Sequence, residues 1–276
     1  MVAAPVLWST AGVVTRHLEK AMPFEQVFWR SLFAFVFIFS FLLFRKNNPW
    51  KAIRSAGWAG LFSGAMWTVM FTAFVIALSL TTTANTLVVM SIGPLLTAFL
   101  SLIFLKDRIA PGTWVAVVFA SMGIAWMFHD GFQAGQAAGM LVALLVPFAA
   151  AANVVTLRAA AARVDLIPAV MLGGALSCLV ALPLAFPFSG SPGDLVLLAL
   201  LGIFQLGLPC MLLVIASRSL SAPEIALLGL LEVVLGPLWA WLGAGEVPGQ
   251  ATLVGGAVVL AALVGNELSA FRRKPV

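Results

Sequence analysis

Charge is what this sequence has least of: 9% of its 276 residues are Asp, Glu, Lys or Arg, and the mean hydropathy is +1.10. A water-soluble domain is about a quarter charged, so this composition excludes a fold that must keep itself in water. Histidine and cysteine are nearly as scarce, with His17, His129, Cys178 and Cys210 as the whole supply. Both cysteines sit inside apolar runs with no paired spacing suited to a metal or an exposed disulfide, and they read as packing residues. Both histidines fall in loops, and no H-E-x-x-H, G-x-S-x-G or phosphate-binding P-loop occurs anywhere. An enzyme would need converging acids, bases, nucleophiles or metal ligands, so catalysis is disfavoured and no metal or cofactor is expected. The absence of a nucleotide-binding domain likewise disfavours an ATP-driven pump.

What fills the chain is apolar. Hydrophobic residues make up 62% of it, in repeated blocks of about 20, the length that crosses a hydrocarbon core of roughly 30 Å. Ten spans are read, at 2–15, 24–44, 57–79, 83–105, 111–128, 136–157, 166–187, 194–217, 222–243 and 249–269. A β-barrel needs short strands of alternating polarity, whereas 195–201 and 253–264 are apolar on every side, so the spans are helices. The expected fold class is therefore all-α integral membrane. The first span starts almost at Met1 without the charged start and cleavage site of a signal peptide, and is expected to stay in the mature protein. It is also short, either an abrupt start or the inner part of a longer native helix.

Loop charge orients the bundle. With the amino terminus in the cytoplasm, Arg45, Lys46, Lys51, Arg54, Lys106, Arg108, Arg158, Arg163, Arg218, Arg272, Arg273 and Lys274 lie inside, while Arg16 and Lys20 lie outside. Arg30 falls within the second span, so the 15 basic residues split 12 inside, 2 outside and 1 embedded, a strong positive-inside bias. Both termini are then cytoplasmic, and the net charge of +5 reflects membrane orientation, with the lipid bilayer and not nucleic acid as partner. Trp50, Trp58 and Trp114 fall toward the inner interface and Trp29, Trp126, Trp239 and Trp241 toward the outer one, where amphipathic rings prefer to sit. Trp8 and Trp67 fall near mid-membrane, which suits either an internal cavity or helix packing.

The sequence also repeats itself. GVVTRH at 12–17 resembles NVVTLR at 153–158. GPLLTAFLSLIFLKD, ending at Asp107, matches EVVLGPLWAWLGAGE, ending at Glu246, in the distance from mid-helix to a terminal acid. Two five-helix halves follow, 1–130 and 131–276. An odd number of helices per half turns the second upside down, and the charges agree: LKDRI carries Lys106 and Arg108 and reads as cytoplasmic, whereas AGEVP carries no basic residue and reads as external. Inverted repeats are an architecture of transporters, with the substrate site near mid-bilayer where the halves meet. With no charged ring or filter motif, alternating access is read ahead of a channel.

TTTANTLVVMSIGPLLTAFLSLIFLKDRI at 81–109 and APEIALLGLLEVVLGPLWAWLGAGEVPGQATLVGGAVVLA at 222–261 resemble the drug/metabolite transporter superfamily, in its ten-helix branch of two EamA domains. The resemblance covers essentially the whole chain. Asp107 stands where that pattern usually has Glu, and Val233 where it usually has Pro, although Pro237 follows. The resemblance implies a central cavity lined by the first, third, fourth, sixth, eighth and ninth helices, with the fifth and tenth at the periphery. It also implies a bacterial inner membrane, a monomer or homodimer, and export of a small-molecule substrate such as an amino acid, aromatic ones included. Export of drugs, nucleosides or purines, and flipping of a lipid-linked metabolite, are the alternatives.

Several side chains are candidates to carry transport. Glu232 lies about ten residues into the ninth span, near the bilayer centre, where an ionisable group costs about 2.5–3.5 kcal/mol and so faces a cavity or a partner. It is read as binding a substrate ammonium or taking up a coupling proton, against the alternative of a protonated glutamate bonded between helices. Asn85, Asn153 and Gln205 offer amide groups to a polar substrate or act as interhelical glue, and Gln205 with Pro209 marks a bend that exposes carbonyls. Trp67, Met70, Phe71 and Phe74 share one helix face and, with Trp8, suit a flat apolar substrate, although packing gives the same pattern. Arg30, six residues into its span, is expected to snorkel roughly 9 Å to the outer headgroups, with a gate salt bridge or a substrate carboxylate as its alternatives. Gly60 with Gly64, and Gly255 with Gly256, allow close helix approach. Asp107 and Glu246 read as caps or latches at helix ends.

Overall fold

Proline opens most of the helices. Pro23, Pro49, Pro111 and Pro192 are the first residues of theirs, and Pro94, Pro168 and Pro223 the second, positions where a preset φ helps and the missing N–H would have no partner. The computed structural model describes residues 1–15, 17–81, 86, 89–90, 92–127, 137–244 and 249–271. Among them every regular element is helical: α1 Ala3–Trp8, α2 Ala11–Thr15, α3 Pro23–Phe44, α4 Pro49–Leu80, α5 Gly93–Leu100, α6 Pro111–Met127, α7 Ala137–Ala160, α8 Ile167–Ala185, α9 Pro192–Leu200, α10 Leu208–Ala216, α11 Ala222–Gly229, α12 Leu231–Ala244 and α13 Gln250–Phe271. Wider π turns extend α5 through Ser101–Leu105 and join α9 to α10 through Leu201–Gly207. Six helical stretches are long and apolar enough to cross a membrane, and Ala3–Thr15, Gly93–Leu105, Pro111–Trp126 and Gln250–Asn266 are shorter apolar ones. The chain is a multi-pass membrane protein of ten helices, arranged as two inverted five-helix repeats around a central cavity.

Three spans are not continuous rods, and each break has a local cause. The first is interrupted at Ser9 and Thr10, whose hydroxyls donate at 2.7 Å to the carbonyls of Val6 and Leu7 and so compete with the helix ladder. The ninth tightens at Leu230, which donates to Leu227 and accepts from Val233, both at 3.0 Å and both three residues away. α4 begins at Pro49 but turns at Gly57, with φ 55° and ψ −148°, so the eight residues before it form a separate segment and the span proper starts at the expected residue. That backbone region is essentially closed to any other side chain. Gly57→Ala is expected to cost about 1–3 kcal/mol by backbone strain alone, because nothing lies within 4 Å of an added Cβ. Thermal unfolding of both proteins in one detergent measures it, and an unchanged midpoint would count against this geometry.

The packing pattern is the same when the two halves are exchanged. α3 lies against α8, and α6 against α13, each beside its own counterpart. α4 against α7 and α8 is matched by α9 and α10 against α3 and α1, and α5 against α7 by α12 against α1 and α2. Lipid tails are as apolar as leucine, so helices in a membrane are held by close fit and interhelical hydrogen bonds. The fit is closest between helices at Gly173, where a Cβ would stand 2.4 Å from the Trp67 Cβ, and nearly as close at Gly202, 2.6 Å from the Arg30 carbonyl and 2.6 Å from the Phe33 Cβ. Gly64 meets Leu172 of α8, and Gly123 of α6 would place a Cβ 2.9 Å from the Gly255 carbonyl of α13. Bonds between helices run from Thr72 to Ser177 at 2.9 Å and from Thr113 to Asn266 at 2.9 Å. Large apolar side chains such as Phe44, Phe104, Met122, Leu141 and Leu179 point outward, as a lipid-facing surface requires.

Acids organise both ends of the bundle. At one end Glu25, near the start of α3, accepts from the backbone N–H groups of Ser189 and Gly190, each at 3.0 Å. Asp194, near the start of α9, accepts from those of Glu19 and Lys20 at 2.9 and 3.1 Å. Each carboxylate therefore holds the loop that leads into the other's helix. At the opposite end Arg158 donates to the carbonyls of Ser217 and Arg218, Arg218 pairs with Asp165 at 3.3 Å, and Asp107 accepts from Ser101 at 2.8 Å. Glu246 lies outside the described residues.

Candidate substrate cavity

The broken helices, the π turn and the aromatic face of α4 converge on one cavity of about 190 Å³. That is room for on the order of a dozen waters, the bulk of a small metabolite. α4 contributes Trp67, Met70, Phe71 and Phe74, the four residues whose spacing puts them on one face, and α1 adds Trp8. The Trp67 and Phe71 rings lie 5.5 Å apart, and Trp67 is 1% exposed, its indole N–H giving no hydrogen bond among the described residues. These rings make the wall soft, flat and largely apolar, suited to an apolar solute surface.

Polar groups enter from four other helices. Asn153 of α7 lines the cavity while its side-chain oxygen accepts from Ser63 of α4 at 2.7 Å, so it also serves as glue. Gln205 sits in the π turn that precedes Pro209, a proline with no N–H to give the carbonyl four residues earlier. Its side-chain oxygen accepts from Nη2 of Arg30 at 2.8 Å, and its Nε2 donates to the Trp8 carbonyl, where the first helix breaks, at 3.5 Å. Glu232 reaches the cavity from the first turn of α12, just past the break at Leu230, and accepts no hydrogen bond among the described residues. Further along α12, Trp239 donates at 2.8 Å to Ser9 at the break of the first helix, tying the two interrupted helices together.

Arg30 does not snorkel. It is 5% exposed, lines the cavity and donates to Gln205, because Gly202 lets α9 close against α3 at that level and a partner lies nearer than the headgroups. The cavity is thus lined by the six helices the resemblance implies and also by the second, through Arg30, while α6 and α13 contribute none of its lining residues. Of the ten sequence candidates, Trp8, Arg30, Trp67, Met70, Phe71, Phe74, Asn153, Gln205 and Glu232 meet there, and Asn85 lies outside the described residues. Cys210 was read as packing alone; it is fully buried and unpaired, yet it also borders the cavity, as do Thr97 and Pro147. A thiol in an apolar run carries no signal of which way it faces.

No curated protein matches the sequence at a significant level. A solved structure described only as "Crystal structure of protein" superposes with a TM-score of 0.84 over 99% of this chain and 96% of its own, at 17% identity, a likeness of fold. The sequence model of the EamA-like transporter family matches residues 1–129 and again 137–266. Two copies of that repeat, packed as interchangeable halves around a cavity, place the chain in the EamA-like transporter family, a small-molecule transporter of the drug/metabolite transporter superfamily.

Proposed function

We propose that this protein is a secondary transporter that exports small metabolites, amino acids and aromatic ones among them, across a bacterial inner membrane with both termini in the cytoplasm. The observation that carries this reading is a largely apolar, aromatic cavity at the junction of the two halves that holds one acidic and one basic side chain, Glu232 and Arg30. A flat apolar side chain fits the wall formed by Trp8, Trp67 and Phe71, and the charged ends of an amino acid need polar partners that this cavity has. Glu232 holds either the substrate ammonium or a proton, so the two compete and inward proton flow drives export. Tilting of one half against the other then carries the loaded site from face to face.

Purified protein in liposomes, tested with a panel of labelled solutes with and without a pH gradient, examines this directly. Saturable counterflow of phenylalanine is expected, accelerated by a gradient, and Glu232→Gln is expected to abolish the acceleration in a folded protein. Counterflow of no amino acid, or a variant with wild-type transport at every pH, overturns the assignment.

A further inference from the structure

Two opposite charges line one apolar cavity without neutralising each other. Among the described residues Arg30 donates from Nη2 to a neutral amide, Gln205, and its Nε, sealed from water, has no acceptor. Among the described residues Glu232 accepts no hydrogen bond and forms no ion pair, although it lines the same cavity as Arg30. An ion held away from water is costly unless a counter-charge meets it, and leaving one member of such a pair alone is the most expensive arrangement. Closing the pair would remove that cost. Gln205 opposes closure, since it holds the guanidinium against the π turn between α9 and α10, while Glu232 enters from α12.

We infer that the separation of these charges is a filter for zwitterions: the substrate carboxylate pairs with the Arg30 guanidinium, its ammonium takes Glu232, and Gln205 is the positioning residue that keeps them apart. The inference rests on the export reading above and narrows it. An α-amino acid carries its two charges on neighbouring atoms and satisfies both side chains at once. An amine without the acid leaves Arg30 unmatched, and an acid without the amine leaves Glu232 unmatched. Each is expected to bind about 10- to 100-fold more weakly than the zwitterion. The apolar wall then ranks zwitterions by side chain, while the charge pair decides what is admitted to the ranking.

Two series of solutes separate charge from shape: phenylalanine, 2-phenylethylamine and 3-phenylpropionate, then leucine, 3-methylbutylamine and 4-methylpentanoate. Because amines and acids leak through bilayers, binding is read from the ligand-induced shift in unfolding of the full-length protein in detergent, and labelled zwitterion counterflow is run alongside. In wild type the zwitterion of at least one series binds at least about tenfold more tightly than both of its analogues. Arg30→Gln should narrow the gap to the amine, Glu232→Gln the gap to the acid, and Gln205→Leu should weaken the zwitterion by letting the charges pair. If in neither series the zwitterion binds about tenfold more tightly than both of its analogues, the filter is overturned and transport is left standing. If none of the six binds or is moved, the amino-acid reading itself falls and the filter with it. Where a variant fails to fold, the wild-type ranking decides alone.

Discussion

Trp67→Ala should be the most damaging single change at the cavity, costing about 3–5 kcal/mol of stability and impairing export of phenylalanine more than of threonine. The stability loss follows from burial: Trp67 is 1% exposed, its ring is tilted against that of Phe71, and its Cβ is the surface against which Gly173 of α8 is pressed. Truncation opens a void that the α4–α8 contact is too closely fitted to collapse into. The selective loss follows from position, because the same ring forms part of the cavity wall and a flat side chain gains more from it than a hydroxyl does. Unfolding in detergent gives the first quantity, and the ratio of the two counterflow rates gives the second at matched folded protein. Equal loss for both amino acids would make Trp67 a packing residue and nothing more.

The second large effect is expected at the paired acids at one end of the bundle. Glu25→Ala removes a carboxylate that is 1% exposed and accepts from Ser189 N, Ser189 Oγ and Gly190 N, each at 3.0 Å. The expected loss is about 1.5–3 kcal/mol, the scale of one charge-assisted hydrogen bond, since water recovers part of the rest once the loop lifts. Asp194→Ala should destabilise in the same direction by freeing the N–H groups of Glu19 and Lys20. Because each acid fixes the loop entering the other's helix, the double variant should lose clearly less than the two singles added together. Unfolding midpoints and protease cutting at 186–191 measure it. Strict additivity would mean that the two loops are held independently.

Most of the architecture was legible because a membrane leaves helices few choices: apolar length gave the ten spans, and it set the start of the third at the residue where α4 turns. Depth along a helix also found Trp8 and Trp67, since an indole away from the interface needs a reason to be there. Depth failed for Arg30. It says how far a charge lies from the headgroups and nothing about direction, and what turned this side chain inward is a glutamine 175 residues away, brought close by a glycine in the same π turn. The π turns themselves have no hydrophobic signature, because both neighbours are apolar all round. The paired acids were missed although Ser191 and Asp194 form a capping box with the spacing the sequence displays. A cap can be read from local spacing, but the loop on its far side can be found only in the fold.

The indoles on the cavity wall have an optical consequence. The chain has nine tryptophans and no tyrosine, so its near-ultraviolet emission belongs to indole alone. Two of the nine emitters, Trp8 and Trp67, border the space in which a solute would sit, and the Trp67 N–H has no acceptor among the described residues. A molecule arriving there changes the polarity around those rings, so the transporter carries an unlabelled reporter of its own occupancy.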